Sequence, residues 1–477
     1  MRRLLFLLPL ALLPLLPVSP TPAAAPEVPA AHRPAAKDVV RYGPAYRYPQ
    51  AGWVVVHVEG EPYVRGYQQG RLLSKEIAAY IRMLATERSV KAPTNGWKSA
   101  RQIVNALLMR KIDVEYLEEM KGIAEGATDA GASFDDRDID LIDIVTVNCW
   151  MELECLDSAL DATPTGLEGK EFPARPGLPR APAPRPVKKD HCSAFIATGP
   201  ATADGKIVFG HITMSGLTAG PFVNVWLDVQ PKNGRRFVMQ AFPGAGWSSQ
   251  DYYINDAGIV LCETTIDQSP FDPTGLSLAS RTRKAIQYGR TIDDVVKTLA
   301  TKNNGLYANE WLIGDLNTNE IAMFELGTKA NRLWRSSKND WFEGTKGFYW
   351  GCNNAKDLGV RTEARPADPD EQSDKVDWEP DERDKAWLKF YKANAGKIDG
   401  DAAKKALSAD PLAGKTALDA KYSTAELAKQ LASHATYGPP TGKAWKPTDE
   451  QLRDHPEIKA LEPHPWTVLT VAPPPKR

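Results

Sequence analysis

Hydrophobic residues recur along this chain at two different periods. After a Pro/Ala-rich lead to about Lys37, apolar residues crowd "GWVVVHVEG" (52–60) and predict a strand. In "SKEIAAYIRMLATE" (74–87) they fall three and four apart behind Ser74, a residue suited to cap a helix. The same spacing in "DVEYLEEMKGIAEGATDAG" puts Leu117, Met120, Ile123 and Ala124 on one helical face, with Gly131 as the stop. "DIDLIDIVTVNCWMELE" reads as a further helix, so 26–159 is expected to be mostly helical.

Over 160–191 the pattern stops and the composition turns to Pro, Gly, Ala and Arg, as in a linker whose tip is open to chain cleavage. From Cys192 the period changes to that of short strands. "CSAFIATG" and "KIVFGHITM" flank the turn "PATADG"; "FVNVWLDV", "RFVMQAF" and "YYINDAGIVLCETTI" follow, the last turning at 255–258. "TRKAIQYG" and "TIDDVVKTLAT" read as helices, the second capped by Thr291, and "NEWLIGDLNTNEIAMFELG" as another hairpin. Sheets are thus expected over 192–357, and a charged, helical part with a proline-rich end over 358–477. Helices, then hairpins, then helices argue for a layered α+β fold with antiparallel sheets, 26–477 forming one intertwined domain.

Composition narrows the function. With 42% hydrophobic and 25% charged residues the chain is ordinary for a globular protein, and 59 basic against 60 acidic side chains leave no footprint for nucleic acid. "MRRLLFLLPLALLPLLPVSPTPAAA" (1–25) has the charged start, apolar run and small residues of a secretory signal peptide. The mature protein is therefore expected to be exported, with no stable membrane span. Five cysteines are too few for a disulfide scaffold, although Cys149 and Cys155 are close enough to pair. No GxSxG, GxxxxGK[ST], HExxH or GxGxxG motif is present, and the seven histidines are scattered, so neither a metal nor a cofactor is expected.

What remains is the neighbourhood of Cys192. Folding the hairpin about Thr202 pairs residues whose numbers sum to roughly 404 or 405, which sets Cys192 opposite Ile212 or Thr213 and His211 diagonally beside it. If the bond between His191 and Cys192 is cut, Cys192 gains an α-amine of pKa about 7.7–8.0 beside a thiol of about 8.5, so nucleophile and base reside in one residue. The residues also admit plainer readings. Cys192 can be a small hydrophobe opening a strand, His211 a hydrogen-bonded structural histidine, and Thr213, Thr264 and Thr265 ordinary strand residues.

"CSAFIATG…DGKIVFGHITM", "YYINDAGIVLCETTI" and "ANEWLIGDLNTNEIAMFELG" resemble the phospholipase B-like family and the wider group of autoproteolytic cysteine acyltransferases and amidases related to penicillin acyltransferase. "GEPYVRGYQQGRLLSKEI" is similar to the opening helix motif of that wider group, and "DAKYSTAELAKQL" more weakly to the phospholipase B-like C-terminal part. The resemblance implies an N-terminal nucleophile (Ntn) hydrolase sandwich: two antiparallel sheets between helical layers, self-cleaved between His191 and Cys192. It implies Cys192 as nucleophile, His211 and Thr213 lining the site, and Asn309 as oxyanion donor; the plainer reading of Asn309 is a strand-end turn residue. Two departures stand out. Thr265 occupies the place of a second asparagine in the bile salt hydrolase relatives, leaving a backbone amide near Thr265 as the alternative donor. The segment after Gly210 reads His-Ile-Thr-Met instead of Asn-Trp-Asp, which removes a familiar aspartate. The expected activity is hydrolysis of a small acyl amide or lipid-like ester without a cofactor, the N-terminal fragment staying bound after cleavage. Acyl transfer to an amine, or a non-catalytic binding protein on the same fold, are the alternatives.

Overall fold

A computed structural model describes residues 34–162, 192–266, 270–363, 378–456 and 458–471. The expected signal peptide at 1–25, His191 and the linker beyond Ala162 lie outside the described residues.

The chain opens with β1 (Val40–Tyr42), β2 (Ala45–Gln50) and β3 (Trp53–Gly60). Helices α1 (Pro62–Arg88), α2 (Pro93–Leu107) and α3 (Val114–Asp129) follow, then a small hairpin of β4 (Ser133–Phe134) and β5 (Arg137–Asp138), then α4 (Leu141–Asn148) and α5 (Trp150–Ala162). After the linker come β6 (Ser193–Ala197), β7 (Val208–Ile212), β8 (Val225–Pro231), β9 (Phe237–Ala241), β10 (Tyr252–Asn255) and β11 (Ile259–Thr265). Helices α6 (Leu278–Tyr288) and α7 (Ile292–Ala300) precede β12 (Asn309–Asp315), β13 (Glu320–Leu326), β14 (Asn331–Arg335) and β15 (Phe348–Gly351). The remainder holds α8 (Leu358–Glu363), α9 (Glu382–Asn394), α10 (Gly400–Leu407), β16 (Asp419–Thr424), α11 (Ala425–Ala428), β17 (Ser433–Tyr437), α12 (Asp449–Asp454) and β18 (Thr467–Leu469).

Ten strands form one open sheet in the order β1-β2-β3-β8-β9-β10-β11-β12-β13-β14, and six form a second, β15-β6-β7-β16-β17-β18. Every neighbouring pair is antiparallel except β3 and β8. Side-chain alternation explains the layers. On β11, Ile259 and Leu261 face α1–α7, while Val260 and Cys262 face the second sheet. On β6, Ala194 and Ile196 face the first sheet, while Phe195 and Ala197 pack with Trp387 of α9 and Leu407 of α10. The order is helices, sheet, sheet, helices: a mixed α+β sandwich, as expected. Strands buried on both faces read as nearly continuous apolar runs, and each Val, Leu or Phe so buried contributes about 1.5–3 kcal/mol over leaving it in water.

Three expectations need correction. The first helix starts at Pro62, not behind Ser74; it bends at Leu73, whose φ of −119° and ψ of 19° leave the helical region just before that serine. The sheets also draw on more than 192–357, because β1–β3 build one edge of the large sheet. The part expected to be helical over 358–477 supplies β16–β18, half of the second sheet; on β16 the charged Asp419 and Lys421 alternate with Ala420 and Tyr422 yet are themselves buried, so the run does not read as a core strand. Cys149 is a buried free thiol, so the possible bond to Cys155 is not formed. Among the described residues no helix is long and apolar enough to cross a membrane.

Candidate active site around Cys192

The β6–β7 hairpin fixes the site. Its partners, Ser193 with Ile212 through Ala197 with Val208, sum to 405, the register read from sequence. Alternation then places Cys192 on the face of Ala194 and His211, towards the large sheet. Ser193 points the other way, where Arg383 of α9 lies 3.4 Å from its hydroxyl. The same guanidinium donates to the Cys192 carbonyl, to the Cys352 carbonyl at 2.6 Å and to Asn353 Oδ1 at 3.1 Å.

Cys192 is 8% exposed, and its sulfur takes the Met214 backbone N–H. Burial pushes its pKa up to about 12; the Met214 N–H and the charges of Lys421 and Arg383 pull the other way, and Asp251 adds to the rise. At neutral pH the sulfur is therefore a thiol, and attack needs a base.

Facing it are the ends of β11 and β12, where Thr265 pairs with Asn309. Asn309 is buried, and its Nδ2 faces the Glu263 carboxyl without closing a hydrogen bond of ordinary geometry. The Glu263 backbone N–H donates to the Asp251 carbonyl at 3.3 Å, which brings these two buried acidic residues together. Burial raises Asp251 to about 7; burial, then the charge of Asp251, holds Glu263 well above the usual carboxylate range. Asp251 and the adjoining Tyr307 are both non-glycine residues at positive φ, 53° and 59°. Such backbone gathers at functional sites because it costs about 1–3 kcal/mol per residue to hold.

The remaining expected residues are spread around this cluster. His211 is fully buried and its Nε2 donates to the Glu263 carbonyl at 2.9 Å; Nδ1 is then a lone pair with no partner among the described residues. Burial, reinforced by the charge of Lys421, lowers its pKa well below 6.5, so it is neutral. Thr213 is occupied: its hydroxyl accepts from Lys421 at 2.6 Å and meets Gln240 Oε1 at 3.3 Å. Thr265 reaches Glu263 Oε1 at 3.4 Å, and its carbonyl accepts from Asn353 at 2.7 Å. Cys192, Asn309 and Thr265 thus share one end of the sandwich, while His211 and Thr213 support it from within.

Sequence reading missed Asp251, Glu263, Lys421 and Arg383. Glu263 and Lys421 had a usable signal, a charged residue inside a strand-like run ("LCETT", "DAKYST"), where an unpaired charge is costly; Asp251 did not. Arg383 had none, being one of several charges on a polar helix. A separate trio, Cys352, Asp381 and Asp384, clusters at the start of α9, but these carboxylates are already engaged: Asp384 accepts from Trp350 at 2.7 Å and Asn354 at 2.6 Å, and Asp381 caps the helix.

Comparison with known proteins adds the following. The chain is 26% identical over 280 residues to an uncharacterized protein of Archaeoglobus fulgidus, a match over 55% of this chain and 41% of that protein. Solved structures similar to it include the N-acylethanolamine-hydrolyzing acid amidase ortholog of Caenorhabditis elegans, with TM-score 0.34, 10% identity, and 50% of this chain and 94% of that chain covered. Another is penicillin V acylase from Agrobacterium tumefaciens, with TM-score 0.26, 12% identity, and 52% and 83% covered. The Phospholipase B family model matches residues 109–334, a stretch that includes Cys192, Asp251, Glu263 and Asn309. That match, over a little less than half of the chain, falls on the family its sequence motifs resemble.

Proposed function

We propose that the protein is an exported, self-processing cysteine Ntn hydrolase that cleaves acyl amide or acyl ester bonds through an acyl-enzyme on Cys192. One observation carries the reading most: the buried Asn309 amide, at the same end of the sandwich as the buried thiol, closes no hydrogen bond of ordinary geometry among the described residues. Buried donors are nearly always paired, so one kept open is suited to an oxygen that becomes negative only during reaction. Cleavage before Cys192 would free its α-amine. That amine takes the thiol proton as sulfur attacks the substrate carbonyl, Asn309 donates to the oxyanion, and the α-ammonium returns the proton to the leaving group. Water then releases the acyl group and restores the thiol. The N-terminal fragment would remain in place, since β3 pairs with β8 along seven residues, from Val54 with Val225 to Gly60 with Pro231.

The test is chain mass and N-terminal sequence under denaturing conditions, with Cys192→Ala alongside. Two chains, one beginning Cys-Ser-Ala-Phe, and an uncut alanine form are expected. A parent chain that stays uncut from acidic to neutral pH removes the mechanism. Release of fatty acid from defined glycerophospholipids against N-acyl amides then identifies the substrate.

A further inference from the structure

Helices α6 and α7 carry charge on the faces they do not bury. Leu278, Ala285 and Ile286 of α6 and Ile292, Val295 and Leu299 of α7 pack into the core between the helices and the large sheet. Away from those positions Lys284 follows Arg281 by three residues on α6, and on α7 Lys297 and Thr298 follow Asp294 by three and four. The two stripes line a cleft of about 450 Å³, a size suited to a small molecule. We propose that this cleft binds a phosphate monoester through the buried Arg281 and the exposed Arg290 and Lys297. It shares no lining residue with the Cys192 site, so the inference does not rest on the reading of that thiol.

The buried arginine carries the argument. Arg281 is 3% exposed. Its Nε donates to the Leu276 carbonyl at 3.3 Å and its Nη1 to the Leu299 carbonyl near the end of α7. Those two bonds make Arg281 a cap for α7 and leave Nη2 with no hydrogen bond among the described residues. Glu152 acts on the guanidinium through space, yet its oxygens are taken by the Ser277 hydroxyl at 2.6 Å, the Leu278 N–H at 3.0 Å and Asn304 at 2.6 Å. Buried charges are as a rule paired, because taking an ion out of water is costly. Here burial outweighs the pull of Glu152 and brings the Arg281 pKa down to about 10, so the cation persists at neutral pH without an ion-pair partner.

The rest of the lining repeats the sign. Lys284, Arg290 and Lys297 stand against Asp113 and Asp294, so with Arg281 the cleft has an excess of two positive charges. Both carboxylates are engaged: Asp113 accepts from Lys284 at 2.9 Å, and Asp294 accepts the N–H groups of Arg290 and Thr291 at 3.0 and 3.1 Å as part of the cap of α7. The Arg290 and Lys297 side chains have no partner among the described residues. Ser280 accepts the Asp113 N–H at 3.0 Å, which leaves its own hydrogen to donate. Two surplus charges, a guanidinium edge and a hydroxyl donor fit the dianionic head of a phosphate monoester better than a single carboxylate, and the volume leaves room for the organic group that bears it. A soluble phosphate ester and the headgroup of phosphatidic acid share that chemistry.

The test is calorimetric titration of the full chain with inorganic phosphate, α-glycerophosphate and acetate at fixed ionic strength, beside sedimentation with phosphatidylcholine vesicles that carry or lack phosphatidic acid. Saturable, one-site binding of α-glycerophosphate is expected, with acetate much weaker. Arg281→Met should weaken it about 10-fold or more, the scale of a lost hydrogen bond to a charged group. That variant also loses the cap of α7, so thermal melts must show that it folds. Replacing Arg290 and Lys297 together by Gln changes only exposed side chains and should weaken binding about 3-fold or more. Saturating α-glycerophosphate should raise the Tm of the parent and leave that of Arg281→Met where it was. Vesicle binding that needs phosphatidic acid and is displaced by α-glycerophosphate supports the site and makes a lipid headgroup its ligand. Binding of the soluble ester without vesicle binding supports the site and makes the free ester its ligand. Absence of saturable phosphate or ester binding overturns the proposal, as does equal affinity in the parent and every folded variant. Acetate bound as tightly as the ester overturns the choice of a phosphate.

Discussion

Lys421 donates to the Thr213 hydroxyl at 2.6 Å and to Asp419 at 2.8 Å between the two sheets, in a site with no exposure at either charge. Gln240 completes the set by donating to the other Asp419 oxygen at 2.6 Å. Replacing Lys421 with Met removes the cation and strands a buried carboxylate, a change that costs about 3–5 kcal/mol where a single partner of a buried pair is lost. Lys421→Met should therefore unfold at clearly lower denaturant than the parent, and adding Asp419→Asn should recover part of the loss. If the single variant is as stable as the parent in urea titration, the pair holds nothing together.

Helices α1 and α3 cross with Gly66 and Gly70 against Gly122 and Gly126. A Cβ on Gly126 would overlap the Tyr67 carbonyl, and one on Gly70 the Ile123 carbonyl, so the backbones themselves are in contact. Gly126→Ala forces the helices apart and should cost about 1–3 kcal/mol, against the small gain an alanine brings to an unpacked helix. Calorimetry would show a lower Tm; a raised Tm would mean that the crossing relaxes freely.

That crossing also shows where the sequence was readable. Two glycines in "RGYQQGRL" argue against a helix on propensity, so periodicity alone starts α1 near Ser74, whereas packing against a second glycine pair pulls the helix back to Pro62. The β6–β7 register and the Thr291 cap of α7 were legible because each depends on neighbours close in sequence. Of the site, Cys192 and Asn309 could be named from motifs. Asp251 could not, since it lies outside any motif and meets Glu263 only through the fold. Lys421 comes from a strand that pairs with His211, which is remote from it in sequence.

His57 sits between Asp228, 2.6 Å from Nδ1, and Glu59, 3.1 Å from Nε2. Burial alone would lower its pKa, but the Asp228 hydrogen bond and charge, helped by Glu59, outweigh that and raise it. The charged form is thus favoured by folding. Its stabilisation is fully present below the unfolded value of about 6.5 and is lost as pH rises through the higher folded value. His57→Gln should lower Tm most at about pH 6, and the gap to the parent should narrow as pH rises past neutrality. A gap that widens with pH would show that the imidazole is held neutral.

Arg383 joins the two halves of the candidate site. Its guanidinium holds the Cys192 carbonyl and Asn353, and Asn353 donates to the carbonyl of Thr265, the strand partner of Asn309. One planar fork therefore sets the distance between the thiol and the amide that would receive the oxyanion. A lysine carries the charge but cannot reproduce the fork. Arg383→Lys should leave the fold within about 1–3 kcal/mol of the parent, the scale of a few changed hydrogen bonds to a charged group. Acylation should suffer more, because a misplacement of about 1 Å between reacting groups can cost about 100-fold. Labelling of Cys192 by an acyl probe should slow at least about 10-fold on that account, with kcat falling and KM little changed. A variant that labels and turns over at the parental rate would mean that Arg383 fastens α9 to the sheet and does nothing for the thiol.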